Sequence, residues 1–249
     1  PEHFSEILDI VQNKTFSVLE EQAVFDWDAQ AGADNPLYRF AVQRPSTLII
    51  HEAFADMLQE NNDPRLDKIA VTDGTFWDYF DDEDANKLIW ARQGARTPII
   101  SFSEVKFMEA EALLRTGGTT EDISAALQLA IESSFIQMEM SPDLHQDFIS
   151  THSDLSEFTT DEEIIEHIMN EAYVCYYGYA FQQMWCNFRR LGYPELIHEA
   201  SPSPYNPSGV IPVRFLYPES EILYNTANCQ SAIDRQNGAL MDEPIWAFE

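Results

Sequence analysis

Apolar residues recur at helical spacing in several stretches of the chain. In the first stretch, Phe4 to Gln12, they lie three or four residues apart, which predicts a helix. A second helix is predicted from Ser46 to Glu60. The string NNDPRL, Asn61 to Leu66, ends it, because a proline disfavours helical backbone in the residue before it. Between these helices, Phe16 to Tyr38 is irregular and is predicted to be a loop.

The clearest helical pattern lies between Ser101 and Phe135. Ser101 and Glu104 have the spacing of a capping box, and the helix that they begin should stop at the Gly117-Gly118 pair. The threonine pair that follows can cap a second helix, whose apolar residues again recur at three and four. Two helices joined by a short glycine turn predict a tetratricopeptide-like hairpin. One such hairpin cannot bury both of its faces, so it must pack on other elements.

A third long helix is predicted to begin at the capping box Thr160 to Glu163 and to run from Asp161 to about Arg190. Almost every face of it carries apolar groups, which is typical of a buried helix, and Gly178 is a weak point or a close-packing site. The remainder of the chain is rich in proline. It predicts a short strand at Val210 to Leu216 and a weak helix at Glu219 to Ile233.

Between Thr72 and Thr97 the chain has no convincing period, and a loop of this length is usually functional or disordered. Its aromatic residues alternate with acids and amides. Neutral glycans present flat C–H faces and many hydroxyls, so a glycan site needs exposed rings beside carboxylates or amides. The predicted ligand-binding residues are Trp77, Tyr79, Phe80, Trp90, Asp81, Asp82 and Asn86. The alternative is that these aromatic side chains fold inward and anchor the loop.

Other site chemistries have weaker support. The acids from Asp78 to Asp84 also suggest a calcium site, but they lack EF-hand spacing, and a solvated acidic loop is the simpler interpretation. The six histidines are scattered without an HExxH motif, and no Ser or Cys lies in a nucleophile elbow. Carboxylate pairs suited to glycoside hydrolysis can arise by chance from 43 acids. The sequence therefore predicts no enzyme, no metal and no cofactor.

Composition excludes some partners. The formal net charge of −29, from 14 Lys and Arg against 43 Asp and Glu, would repel nucleic acids and anionic membrane surfaces. With 45% hydrophobic residues in 249, the chain can bury a globular core. Cys175, Cys186 and Cys229 lack metal-ligand spacing and are interpreted as small core residues. No run of about 18 apolar residues suggests a membrane span.

Two adjacent arginines, Arg189 and Arg190, stand out in this acidic chain. They could bind an anionic ligand, or they could pair with carboxylates and helix-end carbonyls. The structural role is favoured, because cations stabilise a helix C-terminus, and Gly192 and Pro194 follow directly.

Several motifs, taken in order, resemble the SusD/RagB family of outer-membrane lipoproteins of Bacteroidota. The motifs are NNDPRL, ISFSEVKFMEAEALLRTG, a long helix ending NFRRLGYPEL, GVIPVRFLYPESEILYNTANCQSAI and PIWAF. Each is weak alone, whereas their order and spacing from Asn35 to Phe248 are specific. Members of this family capture glycans for TonB-dependent transporters.

The resemblance implies a mostly α-helical, tetratricopeptide-repeat-based fold with long loop inserts and little β structure. It further implies that residues 1–249 are a single SusD-like domain and the C-terminal portion of a longer protein, because family members commonly carry earlier repeats and a lipidated N-terminal cysteine. The expected partners are a glycan and a SusC-like TonB-dependent transporter at the outer-membrane surface. The alternative is a peptide-binding or protein-interaction module of the same fold, since the family includes peptide-capturing members.

Overall fold

The chain folds into a mainly helical structure. The computed structural model describes residues 2–47, 49–71, 87–195, 202–236 and 238–245. The helices are α1 (Glu2–Asn13), α2 (Pro36–Gln43), α3 (Glu52–Glu60), α4 (Leu66–Ile69), α5 (Phe102–Thr116), α6 (Thr120–Gln137), α7 (Gln146–Ser153), α8 (Asp161–Tyr176), α9 (Phe181–Leu191), α10 (Glu219–Tyr224) and α11 (Thr226–Arg235). Short 3-10 turns lie at Leu19–Glu21 and Pro142–Leu144. Strands β1 (Ala23–Asp26) and β2 (Arg96–Ile100) pair antiparallel. The predicted fold class is confirmed.

Helices α5 and α6 form the predicted hairpin. At its start, Ser101 Oγ accepts from the Glu104 backbone N–H at 3.1 Å, and the Glu104 carboxylate accepts from the Ser101 N–H at 2.6 Å. Gly117 ends α5 in the left-handed region with φ of 77°, where glycine has no steric cost. Thr119 then caps α6. Helices α1 and α8 pack on α5, and α7 and α8 pack on α6, so the hairpin packs on other elements as expected.

The N-terminal region is more structured than its sequence pattern indicates. Within the stretch predicted to be a loop, β1 pairs with β2, and Asn35 caps α2 by accepting from the Leu37 N–H at 3.0 Å. The helix predicted from Ser46 begins only at Glu52, where the His51 side chain is the cap. Ser46 has a φ of 59°, which a helix does not allow. The loop prediction therefore missed β1 and the start of α2, and the helix prediction began six residues too early.

The long helix predicted from Asp161 to Arg190 is two helices. The capping box at Thr160 and Glu163 is confirmed, but α8 ends at Tyr176 and α9 begins at Phe181. Between them, Gly178 has a φ of 81°, and a Cβ atom there would lie 2.4 Å from Cγ of Trp90. The chain therefore turns where a side chain has no room.

The chain divides into two compact units, the first ending at Met184 and the second beginning at Trp185. The first unit contains α1 to α8 and both strands. Its largest fully buried side chains include Phe107, Leu127, Ile131 and Phe135 of the α5–α6 hairpin. The hairpin therefore forms the centre of this unit.

The second unit contains short helices and irregular segments. Residues 210–216 have no strand, so that prediction was wrong; their segment is held by single bonds such as Val213 N–H to Met241 O at 2.8 Å. The predicted helix after Pro218 is present as α10 and α11, interrupted at Asn225. Cys229 is buried, as is Cys175 of the first unit, but Cys186 is exposed and is not a core residue. Within the described ranges, no helix is long and apolar enough to cross a membrane.

Candidate functional site

Of the seven predicted ligand-binding residues, the structure describes only Trp90. Its side chain is 4% exposed and meets the ring of Tyr177 edge-on, with 5.6 Å between the centroids. Trp90 also closes over Gly178 and belongs to a buried cluster with Ala41 and Leu88. For this residue the inward-packing alternative holds, because a buried ring offers no face to a glycan. The other six, and the acids considered for calcium, lie outside the described residues.

A cavity of about 660 Å³ opens beside the paired strands β1 and β2 in the first unit. Its walls come from the 3-10 turn at Leu19–Glu21, both strands, the segment that follows Trp90, the end of α6 and Tyr179. The lining residues are Leu19, Glu20, Gln22, Val24, Ile89, Arg92, Gly94, Ala95, Arg96, Pro98, Ile136, Gln137, Glu139 and Tyr179. This volume falls within the roughly 300–1,000 Å³ usual for small-molecule sites.

Asn35 fixes the wall segment that carries Arg92. The Asn35 amide donates to the carbonyl oxygens of Trp90 and Arg92, at 3.0 and 3.2 Å, and its backbone N–H donates to Gln93 O at 3.0 Å. Asn35 is buried, so these bonds form in a low dielectric. One N-cap residue thus secures both a helix and a wall of the cavity.

Gln22 fixes another part of the cavity wall. Its side-chain oxygen accepts from the Phe102 backbone N–H at 3.2 Å and from the Gln137 amide at 3.1 Å. These bonds join the entry to β1 with the start of α5 and the end of α6. The two carboxamides therefore sit side by side on the cavity wall.

Arg92 and Glu139 form a two-pronged ion pair on the cavity wall. Their N–O distances are 3.1 and 3.3 Å, and the planar guanidinium matches the planar carboxylate. The Arg92 Nε is buried and has no hydrogen-bond partner among the described residues. Nearby, burial raises the pKa of the Tyr179 phenol, so its hydroxyl stays neutral at physiological pH.

The lining combines hydrogen-bonding groups with apolar surface and balances its charge. The lining includes two arginines and two glutamates; Arg92 pairs with Glu139, and Arg96 pairs with Asp26 at 2.7 Å. Aliphatic contacts come from Val24, Pro98 and Ile136. Such a wall can bind a neutral ligand that has both hydroxyls and C–H faces. In the part of the chain that the structure describes, no three His, Cys, Asp or Glu side chains gather as a metal site.

Sequence reasoning missed the carboxamides and Glu139. No local signal links these residues, because Gln22 and Gln137 lie 115 positions apart. Glu139 has a φ of 55° just after α6. That conformation closes the helix end and leaves no trace in the hydrophobic pattern.

A second polar cluster is buried between α8 and the NNDPRL motif. Arg65 of the NNDPRL motif contacts Asp63, Glu171, Ser134 Oγ and Cys175 Sγ. The Glu171 carboxylate also meets His152 Nδ1 at 2.6 Å. Because Arg65 has no exposed surface, this cluster is a packing element that offers nothing to a ligand.

The arginine pair lies where the sequence predicts, in the last turn of α9. Arg189 stacks over the ring of Trp185, with 4.3 Å from its guanidinium carbon to the centroid, and Arg190 donates to Asn187 Oδ1 at 3.3 Å. Gly192, with a φ of 80°, then turns the chain. A cation over an aromatic face stabilises the fold, so the structural interpretation is supported for Arg189.

Residues 2–218 match the family model described as starch-binding and associating with the outer membrane. The chain belongs to the SusD-like family. A SusD homolog from Bacteroides fragilis NCTC 9343 is 19% identical, with a TM-score of 0.74, 100% of this chain covered and 62% of that chain. A SusD homolog from Bacteroides thetaiotaomicron VPI-5482 is 18% identical, with a TM-score of 0.74 over 99% of this chain and 60% of the other.

A third similar structure is that of a protein that binds chitin. This chitin-binding SusD homolog from Flavobacterium johnsoniae is 16% identical, with a TM-score of 0.73, 97% of this chain covered and 57% of that chain. At such identity the likeness shows the fold alone. The chain spans 57–62% of the length of these three structures. No curated protein sequence matches it.

Proposed function

We propose that this SusD-like protein binds glycans at the cell surface and delivers them to a partner TonB-dependent transporter of the outer membrane. The observation that carries the proposal is the match of residues 2–218 to a family described as starch-binding. The fold shared with a chitin-binding homolog supports carbohydrate as the ligand class. In this role the protein supplies affinity and the transporter supplies the energy of uptake. Neither catalysis nor a cofactor is needed.

The proposed glycan-binding face is the aromatic loop before Trp90. Trp77, Tyr79 and Phe80 would stack on the C–H faces of sugar rings, while neighbouring polar side chains bond the hydroxyls. Those polar side chains are Asp81, Asp82 and Asn86. Trp90 is excluded from the contact set and anchors the end of the loop in the core. The proposed membrane attachment is a lipid anchor in the full-length protein.

The test is retention of the protein on insoluble chitin and in starch-containing native gels. Trp77→Ala should lose retention while the melting temperature stays close to that of the wild type, because a stacking ring contributes to binding and not to the core. Tyr224→Ala is the matched control, since Tyr224 is 88% exposed on α10 in the second unit, and it should be retained like the wild type.

Three results would count against this assignment. A Trp77→Ala protein that unfolds would show that the ring anchors the loop. Retention unchanged in Trp77→Ala and Tyr79→Ala would move the site elsewhere. A wild type that ignores all glycans but shifts its tryptophan fluorescence with oligopeptides would favour the peptide-binding alternative.

A further inference from the structure

We infer that the cavity beside the paired strands β1 and β2 is a separate carbohydrate subsite that takes one or two neutral sugar units. The inference rests on the proposed glycan-binding function and extends it. It concerns only described residues of the first unit and uses none of the aromatic loop.

The size and walls of the cavity suit a short saccharide. Its volume of about 660 Å³ is in the range of ligand pockets and far above that of a water-filled gap. Val24, Pro98 and Ile136 provide aliphatic surface for C–H faces. Among the described residues no tryptophan lines the cavity, so its walls suit a short saccharide better than a long stacked chain. The terminal unit of a saccharide, entering the cavity end-on, fits these walls better than a long chain does.

The Arg92–Glu139 pair supplies the directional contacts. Neighbouring hydroxyls of a sugar can each donate and accept, and a fixed guanidinium beside a fixed carboxylate offers donors and acceptors a few ångströms apart. Gln22 and Gln137 add amide groups on the cavity wall.

The charge of the lining selects a neutral ligand. Two arginines and two glutamates cancel locally, although the chain as a whole carries a net charge of −29. An anionic sugar would enter against that overall field without a surplus of positive charge to hold it. A cationic ligand would have to compete with Arg92 for Glu139, which is already paired. A neutral hexose or N-acetylhexosamine meets neither obstacle.

The walls are also fixed in advance. Asn35 holds the backbone that carries Arg92, and Gln22 bridges to α5 and α6. Arg92 itself is held by Glu139. A site whose polar groups are already positioned loses little conformational entropy on binding.

The test is calorimetric titration of the intact chain with maltose and with N,N′-diacetylchitobiose. Ile136→Trp should fill the cavity, because Ile136 lines it and is 47% exposed at the end of α6. Leu129→Trp is the matched control: Leu129 is 42% exposed on the same helix and is not a lining residue. We expect at least one disaccharide to bind, with Ile136→Trp weakening it by about tenfold or more and Leu129→Trp leaving it unchanged.

A second variant tests the inference even if Ile136→Trp fails to fold. Glu139→Gln keeps the shape of the side chain and removes its charge, so it should weaken disaccharide binding without altering the melting temperature appreciably. Binding that is equal in the wild type, Ile136→Trp and Glu139→Gln would overturn the inference. So would tighter binding of galacturonate than of either neutral disaccharide.

The two proposals fail separately. Retention of the wild type on chitin or starch that depends on Trp77, without binding of either disaccharide, would support the glycan-capture role and overturn the cavity subsite. If no polysaccharide retains the protein while a disaccharide binds and is blocked by Ile136→Trp, the subsite stands and the role of the aromatic loop falls.

Discussion

Arg65 Nη2 lies 3.1 Å from Glu171 Oε2, although 106 residues separate the two in the sequence. The same guanidinium nitrogen lies 2.6 Å from Asp63 Oδ2, and the group faces the rings of Phe135 and Phe148. These contacts tie the NNDPRL motif to α6, α7 and α8. The motif therefore packs into the core of the first unit through its arginine.

Replacing Arg65 with Met should strongly destabilise the first unit. The change leaves the buried carboxylates of Asp63 and Glu171 without their cation, and breaking a buried pair this way costs roughly 3–5 kcal/mol. The free energy of unfolding, measured by urea denaturation, checks it. Arg44→Met is the control, because Arg44 is exposed and stacks on Phe40. Its unfolding free energy should fall by no more than about 1 kcal/mol. Similar losses for both variants would contradict the role assigned to Arg65.

Glu171 should make the stability depend on pH in acid. Burial opposes its ionisation, but the hydrogen bond with His152 and the charge of Arg65 outweigh burial and lower the pKa from 4.5 to about 2. Because the folded-state pKa lies below the ordinary value, the carboxylate stabilises the fold above about pH 4.5, and this contribution disappears as the pH falls toward 2.

The measurement compares unfolding free energies of the wild type and Glu171→Gln across that range. The difference between them should be largest at neutral pH and should shrink below pH 4.5. Glu60→Gln, an exposed substitution at the end of α3, should instead run parallel to the wild type. A Glu171→Gln difference that stays constant down to pH 2 would show that the ionised carboxylate is not the stabilising form.

Gly178 and Gly117 form a matched pair for testing the contact with Trp90. Both have left-handed backbones, with φ of 81° and 77°, so alanine at either site should cost about 1–2 kcal/mol. At Gly117 a Cβ meets nothing within 4 Å, whereas at Gly178 it would lie 2.4 Å from Trp90 Cγ. In denaturation experiments, Gly178→Ala should therefore lower the free energy of unfolding by roughly 1–3 kcal/mol more than Gly117→Ala does. Equal losses would mean that Trp90 does not press on this turn.

Asn35 is expected to matter for both stability and the cavity. Asn35→Ala removes the cap of α2, which costs roughly 0.5–2 kcal/mol, and also removes the amide that donates to the carbonyls of Trp90 and Arg92. Disaccharide affinity should fall as well, since Arg92 loses its support. Thr119→Ala, which removes only the cap of α6, is the control and should leave disaccharide affinity unchanged. Calorimetry on both variants measures the difference.

The site was less predictable from sequence than the fold, and Trp90 shows why. An aromatic residue in an unpatterned stretch has the same local signature whether it stacks on a ligand or packs in the core. Here Tyr177 and Gly178, almost ninety positions later in the sequence, provide the packing surface. A hydrophobic pattern states which residues avoid water and leaves open which surface covers them.

The sequence by itself determined the elements whose signals are local. The capping boxes at Ser101 and Thr160, the left-handed Gly117 and the α5–α6 hairpin all depend on residues within one or two helical turns of each other. Tertiary structure alone decided the burial of Trp90, the break at Gly178 and the cavity with its Arg92–Glu139 pair. Those features arise where distant segments exclude water from one another, so no local stretch of sequence encodes them.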